Sequence, residues 1–305
     1  MSKKVSIVVS CYNHAEYIAQ CLQSIFSQTY QNIELLVYND GSTDNSAEVI
    51  KPLLATSALP ELYFFDEANR GLSAVKNDAL GRITGDFLLF VDSDNWLNEK
   101  HVEILLAKLE ETSKDIAYTQ LWDFENQRNI LQENLEYSLK QELEGNLIDA
   151  SSLIRCSKIS GSRFDKALNN RALEDYDFWL DLILENLAAP VFVSETKLNY
   201  RVRQSSMSDR GNWQDYYENY FYILNKHQKS FSKEVDEAKK DNILHWIKTF
   251  DECLEMLHER TFQKEQQDEQ IKALEEKVSY YQNSYARSLK NLVSIPLRKL
   301  RKPEN

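Results

Sequence analysis

The sequence predicts an α/β fold in which a mostly parallel sheet is flanked by helices. Short apolar runs alternate with segments of helical periodicity four times before residue 95, and polar clusters follow three of these runs. Strands that alternate with helices form parallel sheets, because each helix returns the chain to the same edge. Ligands bind at the carboxyl ends of the strands in such sheets. We therefore expect a binding site where the polar clusters meet.

The elements are predicted from the spacing of apolar residues. In strands these residues alternate with polar ones or form a continuous run, and in helices they recur every three or four residues. Pro52 indicates an early kink or end of the second helix. In chain order the predicted elements are strand 5–10, helix 14–28, strand 33–38, a helix from about Asn45, strand 62–65, helix 72–80 and strand 87–91.

The fourth strand runs directly into Asp92-Ser93-Asp94. Side chains two residues apart in an extended segment point the same way, so both carboxylates can face one point. A hard cation such as Mg²⁺ or Mn²⁺ would separate the two charges and leave positions for substrate phosphates. The alternative is a solvated turn, since Asp, Ser and Asn are ordinary turn residues.

Composition excludes several protein classes. The chain has 305 residues and a net charge of −12, which argues against nucleic acid as the main partner. Its four cysteines are scattered without the spacing of metal ligands, as in reduced cytosolic proteins. Since no apolar run reaches about 18 residues, we expect no membrane-spanning helix. We also expect no secretory signal, and we predict a cytoplasmic protein.

Six sequence motifs occur in order along the chain. They are SIVVSCYN at 6–13, SIFSQTY at 24–30, NDGSTD at 39–44, NRGLSAVKN at 69–77, VDSD at 91–94 and LEDYDFW at 173–179. Together they resemble the motifs of family 2 glycosyltransferases with the GT-A (Rossmann-like) fold, and the resemblance covers about residues 4–210.

The resemblance implies a nucleoside diphosphate sugar as donor, with a UDP-sugar expected first, and a glycan or lipid-linked acceptor. It also implies Mn²⁺ or Mg²⁺ as cofactor. Asp40 would accept a hydrogen bond from the nucleotide base. Asp94 would ligate the metal on the diphosphate, with Asp92 as a second candidate ligand near the ribose. The residues expected near the base and ribose are Ser10, Tyr12 and Asn13.

The acidic motif at 173–179 would supply the general base of an inverting transfer. The resemblance assigns that role to Asp175, with Glu174 beside it. Asp175 would take the proton of the acceptor hydroxyl as the hydroxyl attacks the anomeric carbon. The same acidic run could instead be only the first turn of an amphipathic helix, where negative charge suits the helix dipole.

Four basic residues are further candidates for the donor phosphates. Arg203 stands where the family often has a histidine, and the planar guanidinium of arginine is suited to phosphate. We expect Arg203, with Arg201, to clamp the diphosphate, and surface arginines are the alternative. Arg70 and Lys76 could meet phosphate or could be solvated surface charges.

The chain is predicted to divide into a GT-A domain over residues 1–211 and an α-helical extension over residues 212–305. The nucleotide-sugar half of the domain is expected at about 1–95 and the acceptor half at about 96–211. In the extension, apolar residues three and four apart predict a coiled coil and a homodimer through 255–290. A single helix folding back is the alternative.

The last segment carries six cations and no acid between Val278 and Pro303, interleaved with aliphatic residues. Such a stretch, here 286–302, indicates contact with an anionic membrane surface. A solvated basic tail is the alternative.

Two other functions compete with the transferase. A nucleotidyl-sugar processing enzyme would need a phosphate loop rich in glycine and lysine near the first strand, and this chain has none. A catalytically degenerate binding or scaffolding module would not need Asp40, Asp94 and Asp175 together.

Overall fold

A computed structural model describes residues 2–131, 136–203, 213–230 and 232–293. The strands are β1 Val5–Cys11, β2 Ile33–Asp40, β3 Glu61–Glu67, β4 Phe87–Asp92, β5 Trp96–Leu97, β6 Ile116–Asp123, β7 Arg128–Asn129, β8 Leu153–Arg155 and β9 Pro190–Tyr200. The helices are α1 Ile18–Phe26, α2 Ser46–Leu54, α3 Leu72–Leu80, α4 His101–Thr112, α5 Leu139–Glu144, α6 Glu174–Leu184, α7 Trp213–His227 and α8 Ser232–Val293.

The strands form one sheet in the order β3-β2-β1-β4-β8-β6-β9-β5, with β7 paired to β6. The first four strands pair in parallel, as their alternation with helices predicts. Beyond β4 the sheet is mixed, because β8 is antiparallel to both β4 and β6 whereas β6 and β9 are parallel. The predicted α/β architecture with flanking helices is confirmed, and the antiparallel pairs are additions that strand periodicity did not reveal.

Both faces of the sheet are covered. Side chains alternate along β1, so Ile7 and Val9 pack on one face and Val8 on the other. Helices α1, α2 and α4 contribute buried residues to the first face. Helices α3, α6 and α7 cover the second. This double burial explains why the central strands read as continuous apolar runs.

The second helix continues through Pro52 and ends at Leu54. The sequence predicted a kink or end near this proline, and the helix stops two residues after it. Predicted helix 14–28 is shorter in the structure, where Ile18 is its first residue.

The chain divides into two compact units, Met1–Asp241 and Asn242–Asn305. The first unit therefore extends past the predicted boundary at residue 211. The physical reason is burial of the apolar face of α7, whose Tyr220, Ile223 and Leu224 are fully buried in the same core as α6. Within the described ranges, no helix is long and apolar enough to cross a membrane.

Candidate functional site

The three predicted polar clusters meet at one edge of the sheet. Parallel register places Ser10 of β1 beside Tyr38 of β2 and beside Asp92 of β4. The next residue pair, Cys11 and Asn39, ends the β1–β2 ladder. The polar residues that follow these strands therefore lie at one edge of the sheet, as the strand alternation predicts.

Asp40 lies at the end of β2 and organises the loop before α3. Its carboxylate oxygens accept hydrogen bonds from the backbone N–H groups of Arg70, at 2.7 Å, and Gly71, at 2.9 Å. Gly41 allows the close approach, since its φ is +67° and a Cβ there would collide with the backbone of Asn69. Asp40 is buried, so any hydrogen bond to a nucleotide base would use its remaining lone pairs.

The exit of β1 presents one exposed aromatic ring and one fixed amide. Tyr12 is 47% exposed, which leaves its ring face available to stack on a base. Asn13 adopts a left-handed backbone conformation, and its Oδ1 accepts from the backbone N–H of Thr43 at 2.7 Å. Asn13 therefore ties the β1 exit to the loop after β2.

The turn after β4 is held by a histidine from the loop that follows β1. The Nδ1 of His14 lies 2.7 Å from the Oγ of Ser93, between the two acids of the D-x-D run. Burial lowers the pKa of His14, while the neighbouring carboxylate of Asp94 raises it and the Arg203 guanidinium lowers it. His14 is thus a neighbour of the candidate metal ligand, a position that its sequence spacing alone did not reveal.

Arg201 and Arg203 leave β9 beside this turn but have different partners. The Arg201 guanidinium donates to the backbone oxygen of Asp94, to Glu125 and to Gln20. These contacts make Arg201 a structural residue and leave it poorly placed to clamp a diphosphate. Arg203 makes an ion pair with Asp94, with 2.7 Å between Nη2 and Oδ2.

Arg70 is committed to a surface ion pair. Its guanidinium contacts Glu67, and its Nη1 lies 3.9 Å from Asp78. Of the two predicted alternatives for Arg70, phosphate contact or surface charge, the structure favours the second.

Lys76 lies inside the protein. Its ammonium is 2.9 Å from Glu174, and both side chains are buried. The rings of Phe90 and Phe164 lie 5.5 and 5.1 Å away. Lys76 lies on the inner face of α3 and is therefore buried. This burial corrects both predicted alternatives for Lys76, contact with phosphate and a solvated surface charge.

The Lys76 ammonium is shared by several carboxylates. Burial alone would lower the pKa of Lys76, yet Glu174, Asp92 and Asp175 raise it above the ordinary range. Asp92 and Asp175 therefore both lie in the electrostatic field of this cation.

Asp175 is oriented by two donors. The backbone N–H of Tyr176 donates to Oδ1 at 2.8 Å, and the Nδ2 of Asn146 donates to Oδ2 at 3.2 Å. The pKa of Asp175 is raised to about 8, first by burial and then by Glu174 and Asp149, against the lowering effect of Lys76. A carboxylate with a raised pKa is suited to accept a proton near neutral pH.

Asn146 and Asp149 come from a stretch that gave no sequence signal. Both lie between α5 and β8. The pKa of Asp92 is raised to about 7, mainly by burial, and Asp149 is one of the carboxylates that contribute to the rise. Only the fold brings this stretch to the two acidic motifs.

The first turn of α6 is anchored on its far side. The buried carboxylate of Asp177 is 2.7 Å from the Nζ of Lys226 and 3.0 Å from the Nε2 of His227, both on α7. The acidic run at 174–177 is thus the first turn of α6, and its Asp177 faces α7.

Asp92 and Asp94 fit a divalent cation whose remaining ligands would be the phosphate oxygens of a substrate. Within the described ranges, no group of three or more His, Cys, Asp or Glu side chains is arranged to hold a metal ion. Mg²⁺ and Mn²⁺ do not need such a cage, because one or two carboxylates and the phosphate oxygens suffice. Asp94, with Asp92 behind it, matches that limited requirement.

Comparison with known proteins gives a consistent result. The model of the family described as "Glycosyl transferase family 2" matches residues 6–168. An "Uncharacterized glycosyltransferase" of Haemophilus influenzae is 30% identical over 210 residues, which are 67% of this chain and 81% of that protein. "Glycosyltransferase GlyA" of Streptococcus pneumoniae is 40% identical over 121 residues, 40% of this chain.

The shared segment is a small part of some relatives. It is 17% of GlyA and 41% of "Glycosyltransferase GlyG" of the same organism. The chain therefore matches less than half the length of these two proteins.

Solved structures share the fold. Staphylococcus aureus TarS 1–349 in complex with UDP-GlcNAc superposes with a TM-score of 0.66 at 22% identity, covering 79% of this chain and 71% of that one. The mannosyltransferase PcManGT from Pyrobaculum calidifontis, in complex with GDP-Man and Mn²⁺, gives 0.60 at 13% identity, covering 80% and 70%. At these identities the likeness concerns the fold alone.

Proposed function

Because this chain belongs to glycosyl transferase family 2, we propose that it moves a sugar from a nucleoside diphosphate sugar to a hydroxyl of a glycan or lipid-linked acceptor, with inversion. The observation that carries the proposal is the meeting of the two acidic motifs. The buried Lys76 ammonium lies 2.9 Å from Glu174, beside Asp175 at the start of α6, and 5.5 Å from the ring centroid of Phe90 on β4, two residues before Asp92. A donor at the sheet edge and an acceptor at α6 would then face each other across one cleft.

The chemistry assigned to Asp175 is general base catalysis. The two donors on its carboxylate, the Tyr176 N–H and the Asn146 amide, fix the orientation of the group. Each carboxylate oxygen keeps a lone pair for the acceptor hydroxyl proton. Positioned bases contribute about 10²- to 10⁴-fold to rate. A single in-line displacement requires no second carboxylate as nucleophile, so the sugar would invert.

The donor side is assigned to the edge formed by β1, β2 and β4. The exposed ring of Tyr12 would stack on the base, Asp40 would accept from it, and Ser10 would lie near the ribose. Asp94, with Asp92, would hold Mn²⁺ or Mg²⁺ together with the diphosphate. When bound, that cation neutralises charge that develops on the leaving diphosphate.

Support for this donor class comes from the fold neighbours. TarS is described in complex with UDP and with UDP-GlcNAc, and PcManGT with GDP-Man and Mn²⁺. We propose a UDP-sugar as the first donor to test for this chain. The net charge of −12 agrees with a partner other than nucleic acid.

We propose that the carboxyl-terminal residues 255–302 contact a second copy of the chain and a membrane surface. Ile271, Leu274 and Val278 lie on α8 at coiled-coil spacing and are 53%, 58% and 53% exposed. We propose a homodimer through 255–290 on this apolar stripe. Membrane-surface contact through 286–302, and with it a peripheral place at the inner face of the membrane, stays a proposal from sequence, because residues 294–302 lie outside the described residues.

A donor screen tests the proposed function. Thermal shift assays with a panel of UDP- and GDP-sugars, with Mn²⁺ or with chelator, identify the donor, and hydrolysis or transfer is then measured. Asp175→Asn should keep the donor-induced shift and lose at least about 10²-fold in kcat. Asp181→Asn, the same change on the same helix, is the matched control. Normal turnover by Asp175→Asn would contradict the assignment, and so would the absence of any nucleotide-sugar shift.

A further inference from the structure

We propose that Arg203 is a cation for the donor diphosphate that the protein itself supplies, and that Asp94 restrains its guanidinium until the donor binds. This inference rests on the proposed function and names a regulation of the same site. It implies that a nucleoside diphosphate binds without any metal, and that Asp94 opposes this metal-free binding.

The position of Arg203 follows from strand pairing. Strand β9 is antiparallel to β5, and the backbone N–H of Arg201 donates to the Oδ1 of Asn95 at 2.9 Å. The end of β9 is therefore attached to the turn that carries Asp94. Arg203 follows two residues later, which brings its guanidinium to the same cleft.

Arg201 and Arg203 differ in how many of their donors are occupied. Arg201 uses Nε, Nη1 and Nη2 on protein oxygens, and its guanidinium lies 4.5 Å from the Tyr17 ring centroid. Arg203 has its ion pair with Asp94, whereas its buried Nε has no hydrogen-bond partner among the described residues. Protein oxygens thus hold three of the five N–H donors of Arg201, and Arg203 has the larger share left for a ligand.

The surroundings of Arg203 hold it near the cleft. Its guanidinium lies 5.6 Å from the Tyr17 ring centroid, within the range of a cation–π contact, and its side chain is 26% exposed. The Asp94 side chain is only 12% exposed. The pair is therefore partly desolvated, so charge-assisted hydrogen bonds formed there are stronger than on an open surface.

A diphosphate would change the balance of this pair. Phosphate oxygens accept bidentate hydrogen bonds from a guanidinium, and the N–H groups of Arg203 that do not contact Asp94 are the donors for them. The Asp94 carboxylate competes for the same guanidinium and repels the diphosphate. Removal of its charge should therefore strengthen binding when no metal is present. When metal is present, Asp94 has the opposite effect, because it holds the cation.

Calorimetric titration of the full chain with UDP, and with GDP in parallel, tests this reasoning in Mn²⁺ and in EDTA. Wild type should bind in both conditions. Arg203→Met should lose about 10-fold or more in affinity in EDTA and less in Mn²⁺. The affinity of Arg203→Lys in EDTA should lie between those of wild type and Arg203→Met, since lysine keeps the charge but lacks the planar guanidinium. Asp94→Asn should bind several-fold more tightly than wild type in EDTA and lose the gain from Mn²⁺.

Arg82→Met is the matched control. Arg82 also pairs with an aspartate, Asp78 at 2.6 Å, but lies before β4 at the opposite edge of the sheet. Its affinities should equal those of wild type. Three results would overturn the proposal. Wild type could bind the nucleotide only when Mn²⁺ is present, Arg203→Met could keep the wild-type affinity in EDTA, or Asp94→Asn could bind more weakly than wild type in EDTA. Absence of nucleotide binding in both conditions would also refute the proposed function, so the two failures are distinguishable.

Discussion

Lys76→Met would remove a buried positive charge that interacts with both acidic motifs. Methionine keeps the length and most of the volume of the side chain, so the change removes charge with little change in packing. Glu174 would then be a buried carboxylate without its partner at 2.9 Å. Asp92 and Asp175 would also lose the charge that lowers their pKa.

The expected loss of stability follows from burial of the pair. The Lys76 and Glu174 side chains are 2% and 9% exposed. Removal of one partner of such a buried pair costs about 3–5 kcal/mol. A unit of this size changes its Tm by about 2–4 °C per kcal/mol, so we expect a fall of about 10 °C.

Two further variants separate burial from distance. Lys51→Met breaks a pair with Asp66 that has the same 2.9 Å distance but lies on the surface, so its Tm should hardly change. The double variant Lys76→Met with Glu174→Gln should recover much of the loss, because the unpaired charge is gone.

Thermal and urea unfolding followed by circular dichroism give these differences. A Lys76→Met variant as stable as Lys51→Met would refute the reasoning that the pair is buried and unsolvated. For catalysis, the acid limb of the kcat/KM profile should move to higher pH in Lys76→Met, since Asp175 would hold its proton more tightly.

The remaining predictions concern the strand-exit carboxylates, the base and the limit of the catalytic unit. Asp94→Asn should lower kcat in Mn²⁺ by at least about 10²-fold and more than Asp92→Asn, and equal losses in steady-state kinetics would contradict their unequal roles. The kcat/KM of wild type should rise with pH to a plateau above about 8, because Asp175 acts only when deprotonated and its pKa is raised to about 8. A profile without this acid limb would exclude Asp175 as the base. A chain that ends at residue 241 should unfold cooperatively, whereas one that ends at 211 should not, because α7 packs in the core. Equal melting of the two by circular dichroism would show that α7 is dispensable.

Local pattern was sufficient for the first half of the fold. The central strands are buried on both faces, so their apolar runs are continuous and easily read. Strands β6, β8 and β9 were not predicted, because β8 has only three residues and β9 mixes buried with exposed positions. The compact unit continues to Asp241, and the pattern of α7 shows an apolar face but not which core covers it.

The order and identity of the acidic motifs were readable in the sequence, and so was the edge of the sheet to which Asp40, Asp92 and Asp94 belong. Parallel strand alternation fixes that edge, because every crossover returns the chain to the same side.

The partners of the basic residues were decided only by the tertiary structure. Lys76, Arg201 and Arg203 are alike as cations in the sequence, yet the fold buries the first, occupies the second with protein oxygens and leaves the third beside Asp94. Asn146 reaches Asp175 from a stretch without any motif. Ion pairs and hydrogen bonds between residues far apart in the chain depend on distance and burial, and no local spacing encodes these two quantities.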